Sequence, residues 1–333
     1  MKYNSHECDP IDAVVTWVDG SDPNHLAKRR ARLNALGLCT VDASSTRFAS
    51  NGELEYCLLS MVHYAPWIRT IYLVTDQQTP DFLIQAVYPE LSSRVQCVDH
   101  QTIFNGFSDC LPTFNSLSIE SMLWRIPHLS ERWIYFNDDC LLIRPTTPAD
   151  FFSDQRVIIR GHWSRFRRDS WVRKLRDVLH RSAPRWFKAP SRLDAHRAMQ
   201  EKSALWAGYP HRLIHLDHVP FAFVQSMFAQ AFQRDADWIH NNSRAPFRQE
   251  DQYWIISCLY HEAFRNHRAL LLSHRSSMMI NGATHSERNI KHRLSLIQNN
   301  PNIKFLCMQS LDQATPRVQR IILDWVRQRI GTK

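Results

Sequence analysis

Two adjacent carboxylates, Asp138 and Asp139, interrupt the run Arg132-Trp-Ile-Tyr-Phe-Asn-Asp-Asp-Cys-Leu-Leu-Ile-Arg144. Ile134, Tyr135 and Phe136 read as a short buried strand, so the pair falls at a strand's carboxyl end. Open α/β sheets place ligand chemistry there. Such a pair can hold a divalent cation against a diphosphate, because hard cations take carboxylate and phosphate oxygens together. Taken alone, it reads more simply as a β-turn with two solvated aspartates. Glu120 lies on a helix expected over 114–126, about 100° off the stripe of Ile119, Met122, Leu123 and Ile126. It either points along the sheet into a cleft or is solvated beside an arginine. His211, His215 and His218, with Asp217, have a spacing that invites a zinc reading. Pro210 and Pro220 bracket them, however, and no clear helix carries them. One histidine acting as acid, base or phosphate contact is the better reading.

These residues need a scaffold. Residues 11–18 read as a first strand, closed by the turn Asp19-Gly20-Ser21-Asp22-Pro23. Backbone N–H groups in such a loop can face phosphate. Residues 25–36 suggest a basic surface helix. The next helix has Asn51 as its expected N-cap and Leu54, Cys57, Leu58, Met61 and Val62 on its buried face. Strands follow at 69–75 and 95–98. The β-α-β-α-β order points to a mainly parallel sheet flanked by helices. Further on, 221–232 suggests a helix, 270–272, 278–280 and 304–307 suggest short strands, and Thr315-Pro316 opens a terminal helix.

With 333 residues, 44% of them apolar, the chain can build one large domain or two ordinary ones. The expected division is 1–159 and 213–333 as two parts of one catalytic domain, around a basic, Trp-containing helical insertion at 160–212. No apolar run approaches the ~18 residues that span a bilayer, and Met1 to Pro10 does not read as a signal peptide. The eight cysteines form no CxxC pair and suit reduced core positions of a cytosolic protein. A net charge of +9 favours an anionic partner. Arginines mixed with Trp163, Trp171, Trp186 and Trp206 suit an anionic membrane surface, or equally a solvated face over a core.

Four blocks together resemble one family, the Stealth proteins. The first is Ile11-Asp-Ala-Val-Val-Thr-Trp-Val-Asp-Gly-Ser-Asp-Pro23. The second gathers Arg47-Phe, Asn51-Gly-Glu-Leu-Glu-Tyr-Cys-Leu, Tyr64-Ala-Pro-Trp-Ile-Arg, Ile71-Tyr-Leu-Val-Thr-Asp-Gln-Gln-Thr-Pro80, Leu111-Pro-Thr-Phe-Asn-Ser, Ile119-Glu-Ser, Leu129 to Asp139 and Asp150-Phe-Phe152. The third runs from His215-Leu-Asp-His-Val-Pro220 to Arg248-Gln-Glu-Asp251. The fourth is Phe305-Leu-Cys-Met-Gln-Ser. The chain departs from the pattern at Asp76-Gln77, where Asp-Gly is usual, and at Met308-Gln309-Ser310, where Leu-Asn-Asp is usual. The third block is also one residue short, which leaves Arg248 as the match and Arg244 in reserve.

The resemblance implies a GT-A-like fold and transfer of a sugar 1-phosphate from a nucleotide sugar, a UDP-sugar by expectation, to a hydroxyl of an acceptor glycan in capsular or exopolysaccharide. UMP would leave. It maps the catalytic carboxylates, histidine and arginine onto Glu120, Asp139, His218 and Arg248. Trp17, Asp19, Gly20, Ser21, Asp22, Asn51 and Arg244 are expected to bind substrate, and Asp138 with Asp139 to hold Mg2+ or Mn2+. Either His218 or Glu120 serves as general base. A cytoplasmic location is expected, with peripheral contact to the anionic inner face of the membrane or to capsule assembly machinery. Two rivals are a glycosyltransferase that attacks the sugar carbon and releases UDP, and a non-catalytic basic module for nucleic acid. No base-reading motif supports the second.

Overall fold

A computed structural model of the protein describes residues 9–38, 52–167, 192–249, 251–273 and 276–331. Its strands, in chain order, are β1 (Ile11–Thr16), β2 (Ile68–Thr75), β3 (Val95–Asp99), β4 (Arg132–Asn137), β5 (Cys140–Leu142), β6 (Phe152–Ser153), β7 (Arg156–Arg165), β8 (Arg212–Leu216), β9 (Phe221–Val224), β10 (Ala269–Leu272), β11 (Ser277–Asn281) and β12 (Phe305–Gln309). The main sheet has the order β3-β2-β1-β4-β9. Its first four strands are parallel, and β9 runs antiparallel to β4. This is the mainly parallel α/β architecture expected.

The centre of the sheet is apolar on both faces, as parallel strands under helices must be. Ala13, Val14 and Val15 of β1 and Trp133 to Phe136 of β4 are wholly buried. Helix Glu53–Tyr64 adds Leu54, Cys57, Leu58 and Met61 to the same core. It begins after Gly52, whose φ of 89° favours glycine. Asn51, the expected cap, lies outside the described residues.

One buried charge pins the amino end of the sheet. Asp12 is fully buried in β1 and accepts from Arg69 Nε (2.9 Å) and Nη2 (2.6 Å), Thr70 N–H (3.2 Å) and Ser130 N–H (2.8 Å). It thereby ties β1 to β2 and to the turn before β4. Asp12→Ala strands one buried and one part-buried backbone donor and an arginine. It should cost about 2 kcal/mol or more in urea denaturation; a loss below about 0.5 kcal/mol would show the tie to be dispensable.

Two smaller sheets flank the main one. In the first, β7 pairs with β10 through Val157–Arg160 and with β8 through Gly161–Arg165. β7 therefore continues through residue 160, and the basic segment after it connects two paired strands. In the second, β12 lies between β11 and β5, antiparallel to β5. Asp138 and Asp139 form the turn where the chain passes from the main sheet into this one. Among the described residues, no helix is long and apolar enough to cross a membrane.

Three local expectations are corrected. The 114–126 helix is a short helix, Ser116–Glu120, followed by a 3-10 turn, Leu123–Arg125. Phe114 N–H and Asn115 Nδ2 are instead bound across the fold to Pro246 O and Ala245 O, and Pro127 bars continuation of the helix. Residues 221–224 are strand rather than helix, because Phe221 and Phe223 pair and pack on β4; the helix starts at Gln225. The helix Pro23–Ala35 is not purely superficial, since His25 and Arg29 are buried and His25 sits edge-on to Phe114.

Candidate active site

The carboxyl ends of β1 and β4 lie side by side, with Thr16 opposite Asn137. A polar chain crosses them. The Tyr135 hydroxyl lies 2.9 Å from Thr16 Oγ1, 2.9 Å from Asn137 Oδ1 and 3.5 Å from Glu120 Oε1. Glu120 Oε2 accepts from Trp254 Nε1 at 2.6 Å. The short helix Ser116–Glu120, capped by Asn115, thus delivers its last residue into the sheet end rather than to solvent. Of the two readings left open for Glu120, the solvated one does not hold, because the side chain is buried.

The other carried-over residues converge here. The connection between β8 and β9 brings His218 Nε2 to 3.4 Å from Asp139 Oδ1, with the side chains 31% and 22% exposed. Arg248 is exposed and donates from Nη2 to Ser116 Oγ at 2.6 Å, one helical turn before Glu120. His218 and Arg248 both act electrostatically on Glu120, while His218 also acts on Asp139. Four residues scattered over 129 positions of sequence therefore share one electrostatic environment. His215 goes elsewhere and stacks on His162 at 5.1 Å, so the three histidines of the 209–219 segment form no common set.

Burial sets the electrostatics first. It lifts Glu120 from the ordinary 4.5 to about 7, against the downward pull of Arg248, Trp254 and His218. Asp138 is raised well above the ordinary carboxyl value by burial, then by the charges of Asp139 and Glu53. Asp139 moves the other way. Burial pushes it up, but His218 and the thiols of Cys307 and Cys140 together hold it below its usual value. His218 is held well above the ordinary imidazole value, since Cys140 and Asp139 outweigh burial.

The expected substrate loop is arranged differently from a phosphate cradle. Asp19 N–H is bound by the Gln78 side chain (2.8 Å), Ser21 N–H by Asp19 Oδ1 (2.8 Å) and Asp22 N–H by Asp19 O (3.3 Å). Asp22 caps the following helix through His25 N–H at 2.7 Å. The N–H groups of Asp19, Ser21 and Asp22 are thus already engaged by Gln78 and Asp19. Trp17 packs against the core beside the loop. Arg244 pairs with Asp109 at 2.6 Å, alongside His240, and is not brought to Glu120 by any contact. Trp163 packs on Tyr209 and Phe264 and Trp206 stacks on Trp238, so both are engaged inside the fold. Trp171 and Trp186 lie outside the described residues.

The expectation of Mg2+ or Mn2+ on both carboxylates fits only one of them. Asp139 Oδ1 lies 3.5 Å from Cys140 Sγ, and Oδ2 lies 3.5 Å from Cys307 Sγ. With His218 these make a donor set of sulfur, nitrogen and one carboxylate, which does not fit a hard, oxygen-seeking ion. Asp138 faces the carboxylate charge of Glu53 and suits such an ion better. Cys140 and Cys307 are buried in the core, as expected of the cysteines, but that reading did not place their thiols beside Asp139. The position of Cys140 directly after Asp-Asp was the one available signal. Tyr135 and Trp254, which hold Glu120, carried no signal.

Two family models match the chain: Stealth protein CR1, conserved region 1, over residues 9–37, and Stealth protein CR2, conserved region 2, over residues 47–159. An exopolysaccharide phosphotransferase of Lactiplantibacillus plantarum is 30% identical over 269 residues, covering 74% of this chain and 74% of that one. One of Streptomyces coelicolor is 47% identical over 145 residues, 43% of this chain but only 15% of its own length. Among solved structures, the galactosyltransferase LgtC aligns with a TM-score of 0.46 at 9% identity, over 96% of this chain and 95% of that one.

Proposed function

Because the chain belongs to the Stealth proteins, among relatives named as exopolysaccharide and capsular polysaccharide phosphotransferases, we propose that it transfers a sugar 1-phosphate. The donor in this reading is a nucleotide sugar, UDP-linked, and the acceptor is a hydroxyl of a growing glycan. The acceptor oxygen attacks the phosphorus that carries the sugar, and the bond from that phosphorus to the oxygen bridging the two phosphates breaks. UMP leaves with that bridging oxygen. The C1–O bond of the sugar is untouched, so its anomeric configuration is kept.

The observation that carries the reading is a buried carboxyl, Glu120, held by Trp254 one helical turn from the Arg248–Ser116 contact, with burial lifting it to about 7. In this mechanism Glu120 takes the acceptor proton, as a base tuned close to neutral pH can. Arg248 grips phosphate oxygens through its planar fork of donors. The charge on His218, sustained by Asp139, faces the negative charge that builds on the transferring group. A Mg2+ or Mn2+ ion on Asp138 would neutralise diphosphate charge. The loop from Trp17 to Asp22 borders the donor.

The test is the identity of the leaving nucleotide. The purified protein, incubated with a panel of UDP-sugars, Mg2+ and oligosaccharide acceptors, should release UMP in step with a new phosphodiester signal by 31P NMR. Release of UDP would mean attack at the sugar carbon and would overturn the proposal.

A further inference from the structure

Cys140 and Cys307 have no part in the proposed transfer, yet their thiols lie within it. The placement is built by the small sheet. β12 runs antiparallel to β5, with Cys307 directly opposite Cys140, and residues so opposed project from the same face. Asp139 immediately precedes β5, and its carbonyl accepts from Met308 N–H at 2.9 Å, which anchors it to β12. His218 arrives from a third segment. One donor atom from each of Asp139, Cys140, His218 and Cys307 lies within 4.8 Å of all the others.

The spacing has a chemical meaning. Zinc sits about 2.0–2.1 Å from nitrogen or oxygen and about 2.3 Å from sulfur, so a zinc tetrahedron has edges of about 3.3 Å from N to O and about 3.6 Å from S to O. Here Asp139 Oδ1 lies 3.4 Å from His218 Nε2 and 3.5 Å from Cys140 Sγ, close to two of those edges, while Cys307 Sγ lies 3.5 Å from the other oxygen, Oδ2, of the same carboxylate. Thiolate and imidazole donors select zinc over magnesium. We propose that Asp139, Cys140, His218 and Cys307 form a tetrahedral site for a zinc-class divalent cation. Binding displaces the two thiol protons and the Nε2 proton of His218 to solvent. Four protein donors fill the tetrahedron and leave no open position, as in structural zinc sites. The bound ion takes Asp139 and His218 out of the transfer chemistry. That consequence rests on the transferase reading; the site itself does not.

A second cluster, Asp109, Cys110 and His240, provides an internal control. It offers one thiol, and its carboxylate is already held by Arg244 at 2.6 Å. The full chain, stripped of metal and kept reduced, is titrated with Co2+ and then Zn2+, with no nucleotide sugar or acceptor present. One equivalent of Co2+ should give intense tetrahedral d–d bands and near-ultraviolet thiolate-to-cobalt absorption, and Zn2+ should displace it. Cys140→Ser and Cys307→Ser should each remove about half of the thiolate absorption and weaken Zn2+ binding by roughly 100-fold. Cys110→Ser should change neither. Because a buried serine can loosen the fold, melting curves give a second readout. Zn2+ should raise the Tm of the wild type but not that of Cys140→Ser or Cys307→Ser, each compared with its own metal-free melt. The proposal falls if Co2+ shows no thiolate absorption, if that absorption survives the double Cys140→Ser/Cys307→Ser variant, or if it is lost in Cys110→Ser. None of these outcomes bears on UMP release, so the two readings fail separately.

Discussion

Glu120→Gln should lose transfer by about 10²–10⁴-fold, the range for removing a general base, while gaining stability at alkaline pH. Both effects come from the same burial. In the folded protein the carboxyl is lifted from 4.5 to about 7, so between those pH values the folded state holds a proton that the unfolded state has released. Stability contributed by this group is therefore complete at acid pH and falls as pH rises through that window. The shift corresponds to roughly 3 kcal/mol. Glutamine resembles the protonated acid and can still accept from Trp254 Nε1, so it escapes this penalty. The stability gap between variant and wild type should be small at pH 4.5 and widen in favour of the variant by pH 8. Wild-type transfer should in turn climb through about pH 7 as the base deprotonates. A variant that keeps near-wild-type turnover, or a gap that does not change with pH, would remove Glu120 from this role.

How much of this was legible in the sequence depends on how local the cause is. Trp133 to Phe136 form an unbroken apolar run followed by Asn137 and two aspartates, and a buried central strand follows from that run alone. Phe221-Ala-Phe-Val is an equally apolar run, but its pattern suits a helix as well. A short continuous run does not distinguish strand from buried helix, and pairing with β4 decides it. The position of His218 depends on that pairing, because it lies in the short connection from β8 to β9. Family resemblance supplied its importance and the fold supplied its neighbour. The thiols of Cys140 and Cys307 were illegible for a related reason. Their approach is set by the register of β12 on β5, a contact across more than 160 residues that no local pattern encodes. The loop at Asp19 to Asp22 has a composition that suits a phosphate cradle, and its partners were not legible: Gln78, from the turn after β2, takes the Asp19 N–H, and Asp19 takes those of Ser21 and Asp22.

Arg248→Ala should lower transfer by about 10²–10³-fold, the scale of losing one strong donor to a developing oxyanion, and should shift the pH profile of the residual activity upward. The shift is the more informative part. Arg248 is the largest influence holding Glu120 down against burial, so its removal raises the base further and delays deprotonation. Folding should be nearly untouched, within about 0.5 kcal/mol, because the side chain is exposed and, among the described residues, makes one hydrogen bond, to Ser116. Arg248→Lys separates charge from geometry. It restores a positive charge near Glu120, so the midpoint of the profile should return toward wild type. It presents a point charge instead of a planar fork, so the plateau rate should stay low. If alanine and lysine variants share one pH midpoint, Arg248 does not tune Glu120. If lysine restores the full rate, the guanidinium fork is not what holds the phosphate, and only the charge at this position matters.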